Sequence, residues 1–523
     1  MKRALQLLIS TFCMSLGLSA AAHGPEDTGK DLVGRVSFST SCNQKVQTMF
    51  ELGVAKLHSY WFPEATKTFD AILQGDPGCA MAYWGKAVSL LENSLAAPPP
   101  LKNLEEASGL LDKARAIGAK TQREQDWIES ISRYYRDYDK VPLDKRLAAY
   151  TDALQAMTRR YPDDMEVWIF YALMLQASAP SSDRTYANQR KSAEILERMF
   201  ARAPEHPGAA HYLIHAYDYP PLADKGIAAA SRYAKIAPAA PHARHMPSHI
   251  YSMVGMWQES ITSNRSALDA RPDYVHAMDF MTYAYLQLGQ DGKARAMVDE
   301  MRAVLGDRPV TQGYTAVACA PARIPLERGD WAAAAALPVT DLKQAHADSL
   351  TRFARGIGMA RSGDLVGARG EIDALKALKQ SLDKSSPYWA ARTEEQLYAV
   401  SAWVARAEGE RDRAETLMRT AADGEDASVK NVQMENRLYP MRELYADLLL
   451  ENGKAAEALR QYTASLHETP NRYRGLYGAA QAANATGDRA TAIRYFEALI
   501  ALSSNADGLR PEVGRAREFL AKK

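Results

Sequence analysis

The sequence predicts an all-α protein built as a helical solenoid, and three observations carry that prediction. Landmarks recur at a spacing of 34 residues: Pro204, Pro238 and Pro272, then Gly255 and Gly289, then Gly453 and Gly487. Between landmarks the apolar residues follow a helical period, as in "AAEALRQYTASL" (455–466), where Ala458, Leu459, Tyr462 and Leu466 share one face. No stretch alternates polar and apolar residues between turn signals, so no strands are expected. A single helix pair cannot bury its own apolar face, so neighbouring pairs must stack. Stacking also accounts for the length. A chain of 523 residues would otherwise divide into three or more compact domains, but a repeat array has no single core to outgrow.

The elements follow in chain order. The start, MKRALQLLISTFCMSLGLSAAAHG, has basic Lys2 and Arg3, an apolar run, and small Ala20, Ala21 and Ala22. It predicts a secretory signal peptide over 1–22 and an exported protein, periplasmic or secreted. Small residues do not lead into Cys13, as a lipoprotein signal would require. Cleavage after Ala22 would leave His23 at the N-terminus, where amine and ring could together hold copper if that start were structured. No later segment has the ~20 consecutive apolar residues of a membrane span. Sixty-four basic and 63 acidic side chains leave a net charge of +1, which gives no basis for a nucleic-acid partner. Turns such as Gly363-Asp364 and Gly487-Asp488 end one helix and open the next.

Ala65, Phe69 and Pro77 share their spacing with Ala458, Tyr462 and Pro470, and Ala492 and Phe496 repeat the first two. This pattern resembles the tetratricopeptide repeat family, whose 34-residue helix-turn-helix units carry a small residue and an aromatic on the second helix and a proline near the end. The resemblance implies a right-handed superhelical solenoid of about twelve units over 46–506. It is clearest in 46–79, 207–308 and 439–506. The expected organisation is an N-terminal segment 23–45, N-terminal units 46–204, His-rich central units 205–308, irregular units 309–430 and C-terminal units 431–523. Three stretches break the period: the proline-rich "NSLAAPPPLKN" (93–103), "GDRPVTQG" (306–313) and "DGEDASVKN" (423–431).

With the signal peptide gone, Cys42, Cys79 and Cys319 remain. Cys42 precedes the first repeat helix and Cys79 opens the third. In a stack of helix pairs these starts are neighbours, and export permits a Cys42–Cys79 disulfide; the alternative is two buried free thiols. Cys319 lies near Pro321 and Pro325, either as a buried inert cysteine or as a groove thiol.

Six of the eleven histidines fall between 211 and 276. "HYLIHAYDYP" and "HARHMPSHIY" each hold a His-x-x-x-His pair, and His245 and His249 repeat His211 and His215 after 34 residues. With units starting at Pro207, Pro241 and Val275, the fifth residues are His211, His245 and Asp279. The ninth are His215, His249 and Tyr283, and the second are Gly208, His242 and His276. Offsets of three and four put these on one helix face. By the resemblance, that face lines the concave groove. Packed helix axes stand ~8–10 Å apart and a metal lies ~2 Å from an imidazole nitrogen, so adjacent helices can share an ion.

His211, His215, His245 and His249 are the leading ligands, with His242, His276, Asp218 and Asp279 as second choices. This is more than one tetrahedral site uses, so either two ions bind or several of these are not ligands. Tyr212 and Met246 replace the glutamate of HExxH, which excludes a zincin. Pro247 predicts a kinked or late-starting helix that re-aims His245. Imidazole suits zinc, copper, iron and nickel, and copper, zinc or iron is the expected ion. Met246, Met253, Met256, Met278 and Met281 crowd the same region, either as copper(I) thioethers or as core filler.

By the same resemblance His58, Trp84, Glu443 and Asp447 face the groove. His58 lies beside Tyr60 and Trp61, where a packed, hydrogen-bonded histidine is the alternative. Glu443 and Asp447, with Glu435 nearby, have Arg437 and Arg442 as intrahelical partners. His206, His346 and His467 read as loop or surface residues. Phosphate-cradling loops, GxSxG and paired CxxC are absent. The expectation is a groove that binds a transition metal. The alternatives are a periplasmic scaffold for a protein or peptide without metal, and a metal-dependent oxidase or hydrolase on the same site.

Overall fold

The glycines at 34-residue spacing close each unit's first helix, and their backbone explains why they are glycine. Gly255, Gly289, Gly453 and Gly487 have φ of 72°, 70°, 81° and 80°, a left-handed conformation that a side chain disfavours. The second helix of each unit then begins at once, as Trp257–Ala270 and Asp291–Leu305 do. In the computed structural model, which describes residues 32–96, 98–431, 436–508 and 510–522, this alternation continues from end to end. Among the described residues there are 26 α-helices, two short 3-10 helices and no strand. The signal-peptide segment, His23 and Glu435 lie outside the described residues. No described helix is long and apolar enough to cross a membrane.

Each helix packs on its chain neighbours, and the first helices of successive units also pack on one another. This is a helical repeat solenoid. Its aromatic landmarks sit on glycines of the next helix. A Cβ on Gly85 would lie 2.4 Å from the Phe69 ring, and one on Gly478 would lie 2.3 Å from the Tyr462 ring. The same contact thus recurs near both ends of the chain. Cys42 and Cys79 form a disulfide. Cys319 is buried in helix Tyr314–Arg328, which continues through Pro321 and Pro325. In the irregular region the helices Leu365–Ser385 and Pro387–Ala407 reach 21 residues each, too long for a 34-residue pair.

Three long-range contacts decide what surrounds the central units. The extended N-terminal segment crosses them, with Arg35 N donating to the Glu205 carbonyl and Ala239 N to the Leu32 carbonyl. Helix Gln47–His58 packs against helix Pro207–Tyr217. The C-terminal units return from the other side: Trp257 Nε1 donates to the Asn471 carbonyl at 2.9 Å and Gln290 Nε2 to the Asn505 carbonyl at 2.9 Å. Arg472 fastens this return. Its guanidinium meets Glu443 at 2.8 and 2.9 Å, Glu327 at 2.8 Å and the Tyr283 hydroxyl at 2.6 Å, all of them buried.

Candidate metal centre

Four helices supply the six histidines. Pro207 starts helix Pro207–Tyr217, which carries His211 and His215 one turn apart. Pro247 breaks the next helix into Pro241–His245 and Pro247–Met253, as its missing N–H requires. The break leaves His245 and His249 facing each other, their Nε2 atoms 2.9 Å apart. His276 enters from helix Val275–Gln287. The side chains form two triads, His211, His215 and His242, and His245, His249 and His276, each with ligand atoms within 4.8 Å of one another. The triads touch, since His215, Asp218 and His249 satisfy the same limit. All four leading candidates and both second-choice histidines therefore converge.

The expected open groove is not found there. His211 and His245 are 0% exposed, and His215 and His249 are 3% exposed. The Tyr60 ring packs on His211 and His242 at 4.5 and 5.3 Å. From the far side a strap after helix Arg411–Asp426 crosses the units: Val429 N donates to the Ser181 carbonyl at 2.9 Å, and Lys430 Nζ reaches Asp218 Oδ2 at 3.0 Å. Burial holds His211, His215, His242, His245 and His249 well below the usual imidazole range, and pushes His276 down to about 4. These imidazoles are neutral at neutral pH, the form that ligates a metal.

Their hydrogen bonds fix the tautomers. The His58 carbonyl can only accept, so His211 Nδ1, at 2.6 Å, donates. Asn264 Nδ2 donates to the Ser260 carbonyl, which turns its Oδ1 toward His245 Nδ1 at 2.6 Å. His249 Nδ1 donates at 2.9 Å to Asp218 Oδ2, the oxygen that also meets Lys430. In each ring the proton is on Nδ1 and the lone pair on Nε2. The two lone pairs of His245 and His249 therefore oppose each other. Ligating histidines are oriented this way, with the far nitrogen donating to an oxygen acceptor. The separation is a few tenths of an ångström short of the roughly 3.3 Å that tetrahedral bonds of ~2.0–2.1 Å impose. His211 Nε2 and His242 Nε2 stand 3.1 Å apart, and His242 Nδ1 is 3.0 Å from the Tyr274 hydroxyl, which can either donate or accept. Among the described residues, both ring nitrogens of His215, and Asp218 Oδ1, are buried without a hydrogen-bond partner.

A third set, His58, Glu166 and His206, shows the opposite condition. Glu166 accepts from His58 Nε2 at 2.8 Å and His206 Nε2 at 2.7 Å, while His58 Nδ1 meets the Tyr212 hydroxyl at 3.1 Å and His206 Nδ1 accepts from Ala209 N at 3.3 Å. Burial raises the Glu166 carboxyl, but His206 and His58 outweigh it and hold it well below the usual range. Every nitrogen is satisfied, so this set supports the centre without needing an ion. His58 is thus the packed alternative and not a groove residue. His206, expected at the surface, is buried as the N-cap of its helix.

Other expected positions are corrected. Asp279 does not join the histidines; Arg323 takes both its oxygens at 2.7 and 3.0 Å. Trp84 is no groove wall but lies in the core against Phe38 and Trp127. Glu443 pairs with Arg472, and Asp447 with Arg474 at 3.0 Å, whereas Arg442 pairs with Asp423 and Asp426, and Arg437 with Glu425. His467 is exposed, as expected, whereas His346 is half-buried in helix Ala345–Ser362 and stacks on Trp389. Lys430, Asn264 and Tyr274 carry no sequence signal, since each acts only through a fold contact.

No family model matches the chain, and no curated protein matches it. Among solved structures, that of Naa15/Naa10 bound to HypK-THB is 15% identical with a TM-score of 0.25, over 91% of this chain and 73% of that one. A tetratricopeptide repeat protein from Parabacteroides merdae is 14% identical with a TM-score of 0.25, over 76% of this chain and 98% of that one. Likenesses this slight carry no functional weight, and the helix-pair stack is read from this chain's own packing.

Proposed function

We propose that this protein binds a transition metal at the buried imidazoles of His211, His215, His242, His245, His249 and His276. The observation that carries the reading is the pair of opposed Nε2 lone pairs on His245 and His249, 2.9 Å apart. A proton could bridge them, but burial disfavours the charged imidazolium. A metal ion relieves the opposition and also gives His215 and Asp218 Oδ1 a partner. The test is metal analysis of protein purified without a polyhistidine tag and then incubated with copper, zinc and iron salts. At least one equivalent should be retained, and a His211→Ala/His245→Ala variant should retain less. Less than a tenth of an equivalent of every metal ends the proposal.

Export remains part of this reading. The basic-then-apolar start supports it, and so does the Cys42–Cys79 disulfide, a bond of oxidising compartments. N-terminal sequencing of the fractionated native protein tests it; a start at Met1 in the cytoplasm would refute it.

A second reading has its own observation. A groove of about 1010 Å³ lies beside the N-terminal segment, lined by Arg35, Arg123, Arg160, Asp163, Asp164 and His206. Its mixed charges suit a partner protein or peptide. Affinity capture from periplasmic extract should recover a partner that an Arg123→Glu/Arg160→Glu variant loses.

A further inference from the structure

We propose that the six histidines form one two-ion centre, three imidazoles to each ion, that prefers copper in its monovalent state. This rests on the metal-binding reading above and adds ion number and metal to it. The first support is how the ligands are grouped. The six rings do not form one crowded shell. They divide into two triads, and each triad contains one pair of facing Nε2 atoms, 3.1 Å apart for His211 and His242 and 2.9 Å apart for His245 and His249. Each triad thus has its own converging pair and one further imidazole, His215 or His276.

The second support is that the triads are adjoining. The ring centroids of His215 and His249 are 5.9 Å apart, and those of His242 and His245 are 6.1 Å apart. Two ions held by these rings are close neighbours. Asp218 lies at the seam with one oxygen taken by His249 and Lys430 and the other without a partner among the described residues.

The third support is charge. Imidazole donors are neutral, and among the described residues the carboxylate grouped with them, Asp218, is paired with the Lys430 ammonium. The donor set therefore brings almost no negative charge into a buried site. Two divalent ions would bury four positive charges there, and two cuprous ions only two, so the desolvation cost strongly favours the monovalent pair. Coordination number agrees. Zinc in a three-imidazole site takes a water as its fourth ligand, so two zinc ions would need two waters in this buried space. Cuprous copper accepts three nitrogen donors without a fourth.

The experiment is anaerobic titration of the metal-stripped full chain with copper(I) against bicinchoninate, with a parallel zinc(II) titration. Two equivalents of copper(I) are expected. The His242→Gln and His276→Gln variants, at the two partly exposed ligands, should each retain one equivalent with an unchanged circular dichroism spectrum. X-ray absorption of the loaded wild-type protein should show three nitrogen neighbours per copper at about 2.0 Å; this measurement stands even where a variant does not fold. Binding of no metal overturns the pair and the reading beneath it. A single equivalent leaves that reading intact and overturns the pair. Two zinc ions that copper(I) does not displace, or sulfur neighbours to copper, overturn the metal assignment.

Discussion

His245 and His249, one helical turn apart on either side of Pro247, present Nε2 lone pairs to each other at 2.9 Å because Asn264 and Asp218 hold the protons on the opposite nitrogens. Neutral rings in that arrangement repel. The fold therefore maintains an arrangement that favours a cation between them.

The first prediction concerns pH. The six imidazoles have folded-state values below the ordinary 6.5, through burial, and His276 reaches about 4. Below 6.5 the unfolded chain binds more protons than the folded one. Stability is therefore full above that value and lost as pH falls from about 6.5 toward 4, by at most ~1.4 kcal/mol per pH unit for each histidine. Thermal unfolding of metal-free protein between pH 7.5 and 5 should show a steady fall in Tm. A flat profile would mean that the rings are not buried in neutral form.

Asn264 touches no proposed ion, yet it sets the tautomer of His245. Asn264→Ala should weaken metal binding about 10–100-fold, the usual effect of losing an orienting partner. Asn264→Asp keeps the acceptor and should restore most of the affinity. Chelator competition measures both. Equal affinity in wild type and the alanine variant would show that Asn264 does not orient the ring.

Gly208 leaves room for the His58 ring. A Cβ there would stand 2.5 Å from His58 Nδ1. His58 cannot retreat without disturbing its 2.8 Å bond to Glu166 or the carbonyl that fixes His211. Gly208→Ala should cost ~1–3 kcal/mol in urea unfolding, as overpacking does, and weaken the first triad more than the second. An unchanged unfolding midpoint would mean that the ring has somewhere to go.

Arg472→Ala would leave Glu327 without this cation and Glu443 with Arg474 alone, at 3.9 Å. Breaking such a network typically costs ~3–5 kcal/mol. Hydrogen exchange should accelerate over 471–522 and at Trp257, whose indole binds the Asn471 carbonyl. Protection equal to wild type would show that the C-terminal units are held by other contacts.

Much of the fold was legible because it is local and periodic. The glycines at 255, 289, 453 and 487 mark turns whose left-handed backbone follows from the residue itself. The histidine register was legible for the same reason, since spacing along a helix fixes which side chains share a face. What covers that face was not legible. Tyr60 and Lys430 close over the histidines from distant parts of the chain, so positions that the repeat assigns to an open groove became interior. Ion pairing failed similarly. Asp279 found Arg323 and Glu443 found Arg472, partners on other helices, where the sequence offered only near neighbours.

The strap through Lys430 gives the centre an order of assembly. All six histidines precede it in the chain, within residues 207–287. During synthesis or translocation they emerge while residues 427–431 are still to come. An ion can therefore reach Asp218 and His249 from a side that Lys430 later covers. Such a centre would load quickly in the young chain and exchange slowly in the finished one.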